Sequence, residues 1–198
     1  MTTHNWMSLA FGVLVGVLAL WRGSGVSWLM FFGFMASCVG DWFLSVRPGG
    51  KWYFLYGVLS FSVAHILFMV YAWRLGGDWS RWLALILAIV YLPYVVFFLV
   101  PRVSPPVVLA AVVLYAVLSL TTLTLSSGMR IGRLPKILFI CGIGFLVFSD
   151  TLISLRNFLG IKPVGKWVIP TYVLSHIFLF ASSVSYLLLD IGKQVEDL

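Results

Sequence analysis

The chain has 198 residues, of which 62 % are hydrophobic and 10 % charged, and its mean hydropathy is +1.07. A soluble domain carries roughly 25 % charged residues, so this composition excludes a water-soluble globule and suits a protein whose outer surface meets lipid. The net charge is +7, from 13 Lys and Arg against 6 Asp and Glu. The cations stand singly between apolar runs and form no patch. That argues against nucleic acid as a partner and for loops beside lipid headgroups.

Seven apolar runs follow in chain order, at 6–21, 27–46, 53–73, 82–100, 106–125, 136–155 and 168–189. Each is read as a helix crossing the bilayer, because backbone polar groups in hydrocarbon need internal partners. The first run is too weakly flanked for a secretory signal: Met1 to Asn5 holds no cation and Arg22 follows the run, so it reads as a retained helix. Pro93 lies inside the fourth run and predicts a kink there. The segments between runs carry Arg, Lys, Gly and Pro, and Trp6, Trp21, Trp28, Trp52, Trp73, Trp79, Trp82 and Trp167 sit near run ends, where an indole prefers the interface. After the seventh run, Asp190 to Leu198 reads as a short polar tail. Cys38 and Cys141 fall within runs as small hydrophobes, without the spacing of a disulfide framework or metal site. The fold class is an all-α polytopic bundle, with residues 1–198 as one integral membrane domain. Six cations gather on the N-terminal side and seven on the other, a difference too small to orient the chain or to name its membrane.

Runs 2–3 and 6–7 resemble each other. Gly40-Asp41 through Arg47 and Ser149-Asp150 through Arg156 place Asp, Ser and Arg at equal offsets, 109 residues apart. His65 follows Asp41 by 24 residues and His176 follows Asp150 by 26. The copies lie four runs apart and cross in the same sense, which makes this a candidate parallel repeat.

Asp41, Asp150, His65 and His176 are the ionisable candidates within the runs. Such groups are costly in lipid and usually face a polar interior. From the helical rise, the two Asp lie about 8 Å from the exits of runs 2 and 6, His176 about 12 Å inside run 7 and His65 about 18 Å inside run 3. All four can meet in one half of the bilayer if these runs pack together. One carboxyl would then serve as acid while its partner acts as base, so the four are the candidate catalytic set. Ser37, Ser62 and Tyr172 share helix faces with Asp41, His65 and His176 respectively. Ser62 with His65 superficially suggests a nucleophile and base, but no nucleophile elbow accompanies them. His65, His176 and the two Asp are residue types that bind zinc or iron, although their spacing carries no metal signature.

Four motifs resemble, in order, those of the YhhN-like lysoplasmalogenase family. Ala36 to Leu44 is similar to its Gly-Asp motif, and Phe61-Ser62-Val63-Ala64-His65-Ile66-Leu67-Phe68 to its Phe-x-x-x-His-x-x-Tyr segment. Phe148-Ser149-Asp150 with Asn157-Phe158 resembles its Ser-Asp and aromatic motif, and Thr171 to His176 its Thr-Tyr-Tyr-x-x-Gln stretch. Phe68 replaces the usual Tyr, and His176 stands where Gln is common. The family typically has eight spans and an early Lys-Pro element, for which this sequence offers no counterpart. The resemblance, over about residues 26 to 185, implies hydrolysis of the vinyl ether of a lysoplasmalogen by acid–base chemistry, with no cofactor. The partners it implies are the lysophospholipid substrate and the bilayer. The phosphate would lie near Arg47, Lys51 or Arg156, and Ser62, Tyr172 and Asn157 would line the substrate path. Two other readings stay open: a metal-assisted lipid amidase or esterase, and a small transporter that uses the repeat and the intramembrane ionisable groups. Oligomeric state is not legible.

Overall fold

The computed structural model describes the backbone of residues 3–45 and 50–196 and the side chains of residues 6–45, 50 and 52–188. The fold is all-α. Its helices are α1 (Thr3–Arg22), α2 (Ser27–Ser45), α3 (Gly50–Arg74), α4 (Arg81–Pro93), α5 (Pro106–Ser126), α6 (Arg133–Phe158) and α7 (Gly165–Glu196). Among the described residues, six helical segments are long and apolar enough to cross a membrane, and α1 adds a shorter apolar stretch, Trp6–Arg22.

The observed helices match the seven apolar runs, with instructive differences. α7 does not stop at the seventh run but continues to Glu196, through what reads as a polar tail. A helix needs no apolar environment to continue once its ladder is formed, so hydropathy marks where lipid ends and not where the helix does. At Pro93 the helix changes winding: α4 passes into a π-helical segment, Tyr94–Leu99. Pro93 has no N–H to offer the preceding turn, and the ladder resumes with wider bonds such as Val100 N–H to the Val95 carbonyl at 2.9 Å.

Six helices close a ring in the spatial order α1, α2, α3, α5, α6, α7, with α7 returning to α1. α4 stands outside the ring against α5, and none of its residues is buried. Lipid-facing positions such as Leu85, Ile86, Ile89 and Leu92 are large and apolar. The buried faces instead hold many small or hydroxylic residues, among them Ser8, Ser37, Ser119, Thr122, Ser149, Ser175, Ser182 and Ser183. Packing and interhelical hydrogen bonds hold helices together where lipid is as apolar as leucine. Thr122 reaches across from α5 to the His65 carbonyl of α3, and Ser182 from α7 to the Pro135 carbonyl of α6.

The repeated offsets recur in the packing. Gly33 lies eight residues before Asp41 and meets the Phe68 ring, three residues after His65. Gly142 lies eight residues before Asp150 and meets Leu179, three residues after His176. A Cβ at Gly142 would stand 2.7 Å from Leu179 Cγ. Both glycines permit the close approach that joins the second and third helix of each three-helix set, α1–α3 and α5–α7.

Candidate functional site

The ring holds a cavity of about 680 Å³ at the end where α2 and α6 finish and α3 and α7 begin. Asp41 of α2, Asp150 of α6 and Tyr172 of α7 line it, with Phe43, Leu44, Phe54, Phe61 and Ile153 as its apolar wall. Arg156 and Asn157 border its mouth. Leu44, Phe54, Phe61, Asp150 and Ile153 also border a recess of about 60 Å³, closed by Val58, Val112 and Tyr115.

Each carboxylate is held by hydroxyl groups. Ser8 of α1 and Tyr172 of α7 both donate to Asp41 Oδ2, each at 2.8 Å. Tyr115 of α5 donates to Asp150 Oδ2. Each tyrosine is in turn backed by a histidine. His65 Nε2 lies 3.2 Å from the Tyr115 hydroxyl, and because that hydroxyl's single proton goes to Asp150, the imidazole N–H donates. The His176 ring packs against the Tyr172 ring with centroids 4.2 Å apart, and its Nδ1 lies 3.2 Å from Ser175 Oγ. His65 Nδ1 and His176 Nε2 are buried without a hydrogen-bond partner.

The cavity therefore gathers two of the four expected ionisable groups. His65 and His176 are fully buried and border neither cavity wall. Their spacing puts them on the right helix faces, but the tyrosines stand between them and the opening, so their position is one layer back. Ser62 is also away from the cavity: it donates to the Val58 carbonyl of its own helix at 2.9 Å, where Phe61 takes the wall. Tyr172, Asn157 and Arg156 border the cavity. Arg47 and the Lys51 side chain lie outside the described residues.

Ser8 and Tyr115 are the groups the sequence reading missed. Tyr115 is the sole Tyr of α5, and Ser8 sits in the first run of the other three-helix set. The repeat offset of 109 carries Ser8 to within two residues of Tyr115, which is the signal that could have found them. Among the described residues, no three His, Cys, Asp or Glu side chains converge in a group able to hold a metal ion.

No curated protein and no solved structure matches the chain. The sequence pattern of the YhhN family matches residues 4–183, which reach from α1 into α7 and include both carboxylates. The chain belongs to the YhhN family, as a multi-pass helical membrane protein.

Proposed function

We propose that this protein hydrolyses the vinyl ether bond of a lysoplasmalogen, releasing a fatty aldehyde and a glycerophospho head group. The observation that carries this reading is a pair of carboxyl groups, Asp41 and Asp150, on one cavity within a helical membrane bundle. Membership of the YhhN family supports it.

The chemistry asks for two carboxyl groups. One, protonated, gives its proton to the β-carbon of the vinyl ether. The double-bond electrons form the new C–H bond, and an oxocarbenium ion results. The other, ionised, stabilises that cation and takes a proton from water as the water oxygen bonds to the cationic carbon. The hemiacetal then collapses. Its hydroxyl proton returns to the first carboxylate, the second protonates the departing glycerol oxygen, and both groups are reset. The apolar wall and the recess beside Asp150 offer room for the start of the lipid chain.

The test is aldehyde release from a lysoplasmalogen by the purified protein in detergent. Turnover that needs both Asp41 and Asp150 is the expected result. No aldehyde, or turnover indifferent to both, would overturn the reading. The three-helix repeat with intramembrane carboxyls also suits a carrier, for which proton-dependent uptake into liposomes without hydrolysis would be the signature.

A further inference from the structure

Two cavities meet at the outer end of α6. The one that holds the carboxyl groups is bordered by Asp150, Ile153, Arg156 and Asn157. An outer one, of about 530 Å³, is bordered by Arg156, Asn157, Lys162 and Gly165. Arg156 and Asn157 are the wall common to both. Among the described residues no acidic side chain borders the outer cavity, which two cations and an amide face. Gly165, the first residue of α7, lets the arginine stem lie against the backbone: a Cβ there would stand 2.9 Å from Arg156 Cδ and 3.2 Å from its Nε. Of the two cations, the guanidinium is the one shaped for bidentate contact with a phosphate.

The spacing along α6 matters as much as the charge. Arg156 follows Asp150 by six residues, about 9 Å along the helix axis. Asn157, one residue further, returns to the helix face of Asp150 two turns on. In a 1-alkenyl glycerophospholipid, seven bonds separate phosphorus from the carbon that accepts the proton. With single bonds of about 1.5 Å, that chain extends to about 9 Å.

Granting the ether-lipid substrate proposed above, we infer that Arg156, Lys162 and Asn157 form an anion subsite for the phosphate of a single-chain glycerophospholipid, and that α6 acts as a ruler setting the distance from that phosphate to the reacting bond. Neutral alkenylglycerols enter the same cavity without this anchor. A spacer longer than glycerol puts the double bond out of register with Asp150.

The test begins with binding, which needs no turnover. Purified protein in non-ionic detergent is titrated with a saturated 1-O-alkyl lysophospholipid, which vinyl ether chemistry leaves intact, and with the matching phosphate-free 1-O-alkylglycerol. Arg156→Ala is expected to weaken the phospholipid about tenfold, the size of losing a charge-assisted contact, and to leave the alkylglycerol unchanged. Lys162→Ala should do the same more weakly, and Arg156→Lys should recover part of the loss. Equal weakening of both ligands marks Arg156 as merely structural and overturns the subsite, as does no effect on either. Displacement of the phospholipid by inorganic phosphate or glycerol 3-phosphate at the lipid's own potency would make the ligand a free phosphate and overturn the lipid assignment. The ruler is read from turnover: a lysoplasmalogen analogue with one more methylene in the spacer should bind like the parent and be cleaved about tenfold more slowly. Equal cleavage overturns it. If no vinyl ether is cleaved while Arg156-dependent binding persists, the anion subsite stands and the hydrolase reading falls.

Discussion

The surroundings of Asp41 and Asp150 are two versions of one frame. In both, a carboxyl group on the second helix of a three-helix set accepts a hydroxyl from the first, Ser8 for Asp41 and Tyr115 for Asp150. They diverge at one pair of equivalent positions. Tyr172 precedes His176 by four residues and gives Asp41 a second donor from the opposite set. Phe61 precedes His65 by four residues, meets the Tyr172 ring edge-on at 6.1 Å and has no hydroxyl for Asp150. Among the described residues Asp41 is thus held by two donors and Asp150 by one, with His65 behind that one. The two halves offer matching scaffolds and differ in the hydroxyl groups that reach each carboxyl.

The largest expected effect tests whether the halves act as one unit. Asp41→Asn and Asp150→Asn should each lower turnover of lysoplasmalogen by about 100-fold or more, the usual scale for a lost acid or base. The double variant should be little worse than the poorer single, because groups that act together are not additive. Steady-state rates of aldehyde release decide it, and multiplicative losses would separate the two halves.

Next comes the unequal pinning. Tyr115→Phe removes the one hydroxyl donor to Asp150 among the described residues, and should cost about tenfold in kcat. Ser8→Ala leaves Asp41 its Tyr172 contact and should cost a few-fold at most, on the scale of one neutral hydrogen bond among two. Equal losses in these two variants would erase the asymmetry. Tyr172→Phe should alter KM and kcat together, because its side chain meets the substrate space.

Stability offers the third comparison. Gly33→Ala and Gly142→Ala each press a methyl into the neighbouring helix, at Phe68 and at Leu179. Each should destabilise by about 1–3 kcal/mol, seen as a lower unfolding temperature in detergent. Similar costs would make the two helix pairs mechanical equivalents. The smallest effect belongs outside the ring. Tyr91 and Tyr94 join the α4 side to α6 through Thr151 and Ser154, and removing either hydroxyl should cost only about 0.6 kcal/mol, the average for such bonds in a membrane bundle.

Much of this was readable before folding. A run such as Pro106–Ser126 has no stable place but a helix in lipid, so span number and order follow from hydropathy. Asp41 and Asp150 were conspicuous because charge is rare in such runs, and the equal offsets of Asp, Ser and Arg marked the repeat. The place of His65 and His176 behind the cavity wall has a plain cause. A spacing of four residues places Tyr172 and His176 on one face, yet neighbours on one face can belong to different depths of the bundle. Which of them meets the cavity depends on the partner helix opposite. Ser62 lies off the cavity for the same reason: its neighbour Phe61 lines the wall while the hydroxyl turns back to its own helix.

Sequence alone determined that the chain forms seven apolar helices, six of them among the described residues long and apolar enough to cross a membrane, and that two carboxyl groups lie within them, because transfer of apolar and charged groups between water and hydrocarbon is a property of each segment by itself. Tertiary structure decided the ring order, the exclusion of α4 from it, and the seating of Ser8, Tyr115 and Tyr172 on the carboxyl groups. Those contacts join residues up to 131 positions apart, and only the close packing of one helix surface against another can choose among such distant partners.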